Sequence, residues 1–64
     1  MKQQRKGKMK VRRFAGGWGV YRDTNGWHLL DPSGYDRYVG ETWLDSVATI
    51  NLILENHGVD YRVS

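Results

Sequence analysis

The sequence contains no cysteine, which excludes disulfide bonds and thiolate ligands for zinc or iron–sulfur clusters. No apolar run approaches the ~18 residues needed to cross a membrane. No hydrophobic segment follows the basic N-terminus, as one would in a secretory signal. With 64 residues the chain forms at most one domain, and its core must be small. We therefore expect a small cytoplasmic protein that does not enter a membrane.

The sequence also lacks a pattern typical of catalysis or metal binding. A nucleophile needs a base within hydrogen-bond reach, yet no serine lies near a histidine in the sequence. Pairing His28 with Asp31 or Asp36 is the nearest approach to an acid–base pair, and His57 suits a helix C-terminus. Two isolated histidines do not have the spacing of a metal site. We expect no enzymatic activity, no metal and no cofactor.

Positive charge is abundant, but it is concentrated at one end of the chain. Seven of the ten Lys and Arg residues lie within residues 1–13, where there is no acid, while residues 14–64 carry three against seven acids. A +7 arm is thus joined to a −4 body, a distribution typical of an arm that seeks polyanions. We predict a basic, disordered arm over residues 1–13 and one small domain over residues 14–64, with residues 10–14 as an alternative edge strand.

Two turns of the same design organise the body. Residues 23–26 (DTNG) and 31–34 (DPSG) each begin with Asp, whose side chain can bond the following backbone, and end with Gly, which accepts positive φ. They separate strand-like segments at residues 18–22, 27–30 and 35–40. If both loops are of the four-residue type, Asp23 lies opposite Trp27 and Leu29 lies opposite Arg37.

This register predicts two apolar faces, either of which a helix could cover. One face holds Tyr21, Trp27, Leu29 and Val39, and the other holds Trp18, Val20, His28, Leu30 and Tyr38.

A helix follows the meander. Thr42 can cap it, Gly58 can end it, and Trp43, Val47, Ile50 and Leu54 form one apolar line with Leu44 and Ile53 on its flanks. Residues 59–63 alternate again, which predicts a short last strand or an extension packed on the body. The predicted fold class is α+β: a three-stranded antiparallel meander packed by one C-terminal helix, with short extra edge strands possible at both ends.

Two functions fit these features. The first is a small non-enzymatic nucleic-acid-binding module, because clustered cations neutralise phosphates and exposed aromatics stack on bases. Its candidate phosphate contacts are Lys2, Arg5, Lys6, Lys8, Lys10, Arg12, Arg13, Arg22 and Arg37. Its candidate aromatic surface is Trp18, His28 and Tyr38.

The predicted order of three strands and a helix, over roughly residues 18–58, resembles the small arm-type DNA-binding domains of phage and transposon integrases. The resemblance implies a sheet that lies in the major groove. The body departs from it by being acidic, so the arm would supply most phosphate contacts.

The second function is a protein-interaction or inhibitory module, of the accessory type found in phages and mobile elements. It would use its acidic aromatic surface to occupy a basic patch on a partner. Leu52, on the outward side of the helix, also makes a homodimer possible.

Overall fold

The computed structural model describes residues 10–64, which form one antiparallel sheet covered on one face by one helix. The strands are β1 (Arg12–Arg13), β2 (Gly19–Asp23), β3 (Gly26–Leu30) and β4 (Asp36–Gly40), in that order across the sheet. A short 3-10 turn (Ala15–Gly17) precedes β2, and the helix α1 (Trp43–Asn56) follows β4. The predicted α+β class and the meander packed by a C-terminal helix are confirmed. No helix in this part of the chain has the length and apolar character to cross a membrane.

The two ends of the domain differ in structure. Arg12 and Arg13 pair with Val20 and Gly19, so the edge strand predicted near residues 10–14 is present and these two arginines belong to the sheet. Residues 59–64 form no strand. Instead, the side-chain amide of Asn51 bonds both the N–H and the carbonyl of Val63, at 2.8 and 3.0 Å. The C-terminal segment is therefore an extension packed on the body.

The second predicted turn forms as expected. The Asp31 carboxylate accepts hydrogen bonds from the N–H groups of Ser33 and Tyr35, at 2.9 and 3.0 Å, and Gly34 has a φ of 93°. The loop sets the register of β3 and β4, in which Leu29 lies opposite Arg37 as predicted.

The first turn is tighter than predicted. Asp23 pairs with Gly26 rather than with Trp27, which leaves a two-residue loop. Gly26, with a φ of 139°, enters β3 beside the backbone of Gly40 and Glu41, where a Cβ would clash. This close approach to the end of β4 is a tertiary contact that local turn chemistry does not reveal.

The tighter turn changes which side chains of β2 face the helix. Val20 now lies opposite Leu29, and Tyr21 lies opposite His28. The predicted partition is therefore wrong for β2, whereas Leu29 and His28 lie on opposite faces as predicted. The helix-facing side contributes Trp18, Val20, Leu29 and Val39 to the core, with Ile50 and Leu54 from α1.

Local signals set the ends of α1. The Thr42 hydroxyl accepts a hydrogen bond from the Asp45 N–H at 3.1 Å, which is the predicted N-cap. At the other end, Gly58 has a φ of 73° and the Val59 N–H reaches back to the Leu54 carbonyl at 2.9 Å, a glycine-terminated helix end.

The buried side of α1 is displaced from the predicted apolar line. Leu44, expected at the flank of the stripe, is 84% exposed, and Ser46 is fully buried. The Ser46 hydroxyl donates to the Thr42 carbonyl at 2.6 Å, and a Cβ on Gly40 would lie 2.5 Å from its oxygen. The first turn of α1 thus packs so closely on β4 that only small residues fit between them.

Candidate nucleic-acid interface

A cleft of about 490 Å³ lies at the β1–β2 edge of the sheet, beside the start of α1. Its lining includes three cations and two indole rings, from Lys10, Arg12, Arg22, Trp27 and Trp43. Its volume is within the ~300–1,000 Å³ range of ligand pockets. Cationic and aromatic groups in one recess are suited to a ligand that carries both negative charge and flat rings.

The sheet register explains why these side chains meet. Arg12 is the cross-strand partner of Val20, and Arg22 is the partner of Trp27. Paired residues share a face, and Val20 and Arg22 lie two apart on β2, so all four lie on the helix-facing side. The helix contacts chiefly β3 and β4. The β1–β2 edge of the same face is therefore left to the cleft, which Ser64 of the C-terminal segment also lines.

The two tryptophans are held in place by direct contacts. Their rings pack at an angle of 60° with centroids 4.8 Å apart. The Trp43 indole N–H also donates to the Ser64 carbonyl at 3.1 Å, which ties the C-terminal segment to the wall of the cleft. Both residues are half-buried, so part of each remains available to a ligand.

The cations of the cleft carry uncompensated charge. Within residues 10–64, Lys10, Arg12 and Arg22 form no ion pair, and no Asp or Glu side chain lines the recess. Asp23 and Asp36 instead contact His28 on the opposite face of the sheet. The sheet thus separates these two carboxylates from the cations of the cleft.

Two other predicted phosphate contacts are engaged within the protein. Arg13 donates to the Gly17 carbonyl at 3.1 Å. Arg37 pairs with Asp31 at 3.3 Å and lies over the Tyr35 ring at 4.7 Å. It belongs to β4, at the edge of the sheet opposite to β1 and the cleft. Of the remaining predicted contacts, Lys2, Arg5, Lys6 and Lys8 lie outside the described residues.

The predicted aromatic surface needs correction. Trp18 is only 4% exposed and packs in the core, with its ring edge-on to His57 at 5.2 Å, so it is not a surface residue. His28 and Tyr38 do lie together on the open face, 5.5 Å apart. Sequence reasoning missed Trp27 and Trp43 as site residues because both belong to patterns that also predict core positions.

On the open face, a cluster centred on His28 joins three strands. The His28 ring stacks on Tyr21 of β2 with centroids 4.6 Å apart, and its Nδ1 lies 2.8 Å from a carboxylate oxygen of Asp36 on β4. The Tyr21 hydroxyl donates to the same carboxylate. His28 Nε2 is buried 2.9 Å from Asp23 but makes no well-directed hydrogen bond, so this contact is mainly electrostatic.

These contacts shift the pKa values of the cluster. Partial burial opposes protonation of His28, but Asp36 and Asp23 outweigh it and raise the pKa of the imidazole above 6.5. The hydrogen bond to Asp36 raises the pKa of Tyr21 to about 12. Burial acts to raise the pKa of Asp23, yet the Asn25 N–H and His28 hold it below 3.8.

The His28 cluster stabilises the sheet, since both ring nitrogens already face carboxylates. Within residues 10–64, no group of three or more side chains is placed to hold a metal ion. The absence of enzymatic activity stays a prediction.

The fold and the cleft define a small α+β domain with a basic, aromatic edge. The chain matches no protein-family model, and no curated protein or solved structure is significantly similar to it. The resemblance to arm-type DNA-binding domains therefore depends on the order of strands and helix alone.

Proposed function

We propose that this protein is a non-enzymatic cytoplasmic module that binds nucleic acid through the β1–β2 edge, with the basic arm adding further phosphate contacts. The observation that carries the proposal is the cleft, whose lining brings Trp27 and Trp43 together with Lys10, Arg12 and Arg22, three cations that form no ion pair within residues 10–64. Cations neutralise phosphates and release counterions, and aromatic rings stack on bases.

The distribution of charge supports this proposal despite the acidic body. The carboxylates of Asp23 and Asp36 are directed to the His28 side of the sheet, and Asp31 is paired with Arg37. A polyanion at the cleft thus meets cations first and is separated from most of the sheet's acids.

Salt-dependent binding tests the proposal directly. Fluorescence anisotropy of a labelled single-stranded oligonucleotide is titrated with the full chain at several salt concentrations. If Arg12 and Arg22 each neutralise one phosphate, the double variant R12Q/R22Q should flatten the log–log salt slope by about 1.4, from ~0.7 per contact on a single strand.

The matched control is R37Q, which removes the same kind of charge from the β4 edge. It should leave the slope unchanged, and circular dichroism verifies that each variant is folded. Failure of the wild-type chain to bind any nucleic acid at low salt would contradict the proposal. A slope change of about 0.7 in R37Q, as large per charge as in R12Q/R22Q, would show that net charge, not the cleft, is responsible.

Exposed apolar groups favour protein binding as a second candidate. Tyr38 is 54% exposed on the open face, and Tyr35 is 62% exposed beside Arg37 at the β4 edge. On α1, Leu44 and Leu52 are 84% and 58% exposed, at a spacing that places them on one side of the helix. An accessory or inhibitory protein of a phage or mobile element could use either surface. L52D should dissociate a homodimer formed through α1, as measured by sedimentation equilibrium.

A further inference from the structure

We infer that the cleft receives an unpaired base, so that the protein prefers single-stranded nucleic acid to duplex. This inference rests on the proposed nucleic-acid binding and names the form of ligand that the β1–β2 edge accepts. The ligand chemistry is a flat heterocycle flanked by phosphates, which both single-stranded DNA and RNA provide.

The shape of the cleft favours a base that is free of a duplex. The cleft is an open recess of about 490 Å³ with Trp27 and Trp43 in its lining. In a duplex the bases are stacked and paired, and only their edges reach the grooves. In a single strand a base can turn outwards and stack on an aromatic side chain.

The cations of the cleft lie beside its two indole rings. Arg12 and Arg22 lie on neighbouring strands and Lys10 lies near the start of β1, all around the same recess as the indoles. Phosphates on either side of an inserted base would therefore meet cations without leaving the edge of the sheet. An arginine guanidinium can also stack on the base itself.

The test compares polyanionic probes that differ in whether they offer accessible bases. Labelled dT12 and rU12, a duplex of the same length, and heparin as a polyanion without bases are titrated with the full chain. We expect W27L to weaken binding of dT12 or rU12 by about 5- to 150-fold, which corresponds to the stacking contribution of one base. Binding of duplex and heparin should be unchanged. A preference between dT12 and rU12 identifies the biological source.

Y38L is the matched control because it removes an exposed aromatic ring from the opposite face of the sheet. It should not change the affinity for dT12. Intrinsic tryptophan fluorescence of the wild-type chain gives a second readout that needs no variant: dT12 should quench it and heparin should not. This measurement decides the question if W27L does not fold.

The outcomes separate the two proposals. Unchanged affinity of folded W27L for dT12, or absence of quenching by dT12, overturns the base-binding inference while nucleic-acid binding stands. Loss of affinity in Y38L alone places the base on the open face and also overturns it. If the wild-type chain binds none of the nucleic acids, as expected for a protein-interaction module, both proposals fail.

Discussion

The His28 cluster predicts that stability depends on pH in a defined direction. The pKa of the His28 imidazole is raised in the folded protein, so the protonated ring stabilises the native state. This contribution is fully present below the ordinary value of 6.5 and is lost as pH rises through the folded pKa. The groups that face the ring are Asp23, Asp36 and the two rings of Tyr21 and Tyr38.

The size of the effect follows from the contacts. One charge-assisted hydrogen bond, from Nδ1 to Asp36, is worth about 1.5–3 kcal/mol. The Asp36 side chain is 41% exposed, so solvent screening reduces this to about 1–2 kcal/mol. A 64-residue domain is stable by only about 3–10 kcal/mol, so the change is readily measured.

The assay is thermal unfolding of the wild-type chain and H28N between pH 5.5 and 9. At low pH the melting temperature of H28N should be lower by roughly 5–15 °C, given about 4–8 °C per kcal/mol for a domain of this size. The difference should shrink at high pH, where neutral His28 retains a weaker hydrogen bond. Loss of the Tyr21 stacking adds a pH-independent part.

N56A is the control, because Asn56 is exposed on α1 and has no titratable side chain. It should follow the pH profile of the wild-type chain. If the difference between wild type and H28N is the same at pH 5.5 and pH 9, the protonated histidine does not stabilise the sheet and the reasoning is refuted.

Three further predictions concern the fold. G26A should lower the free energy of urea unfolding more than G34A does. Both glycines have positive φ, but only at Gly26 would a Cβ clash with backbone. We expect a loss of about 1–3 kcal/mol for G34A, and an equal loss in the two variants would contradict the role of the clash. T42A should lose about 1 kcal/mol of stability because it lacks the hydroxyl that caps α1, whereas T42S keeps this hydroxyl and should not lose it. The Ser33 hydroxyl and backbone N–H groups lower the pKa of Asp31 to about 2, so Asp31 contributes stability that is lost as pH falls from 3.8 towards 2. In D31N the loss of folded structure with falling pH, followed by circular dichroism, should be shallower.

Features set by nearby residues could be predicted from the sequence. The turn at residues 31–34 and the caps of α1 depend on an Asp, a Thr or a Gly that bonds or bends its own neighbours. The concentration of cations before the meander can also be predicted, because it follows directly from the order of residues in the sequence.

The cleft could be predicted only in part. Lys10, Arg12 and Arg22 were candidates from charge, but their grouping with Trp27 and Trp43 requires the register of β1, β2 and β3. Arg13 and Arg37 carry the same charge, and only their contacts with Gly17 and Asp31 distinguish them.

The sequence by itself determined the elements of this protein: the meander, the helix, its ends and the separation of charge along the chain. Tertiary structure decided which faces those elements present. Successive side chains of a strand lie on opposite faces, so the two-residue first turn, in which Asp23 pairs with Gly26, places Val20 on the side of Leu29 and Tyr21 on the side of His28. At this turn Gly26 also lies against the backbone at the end of β4. Such contacts join residues far apart in the chain, and no local pattern encodes them.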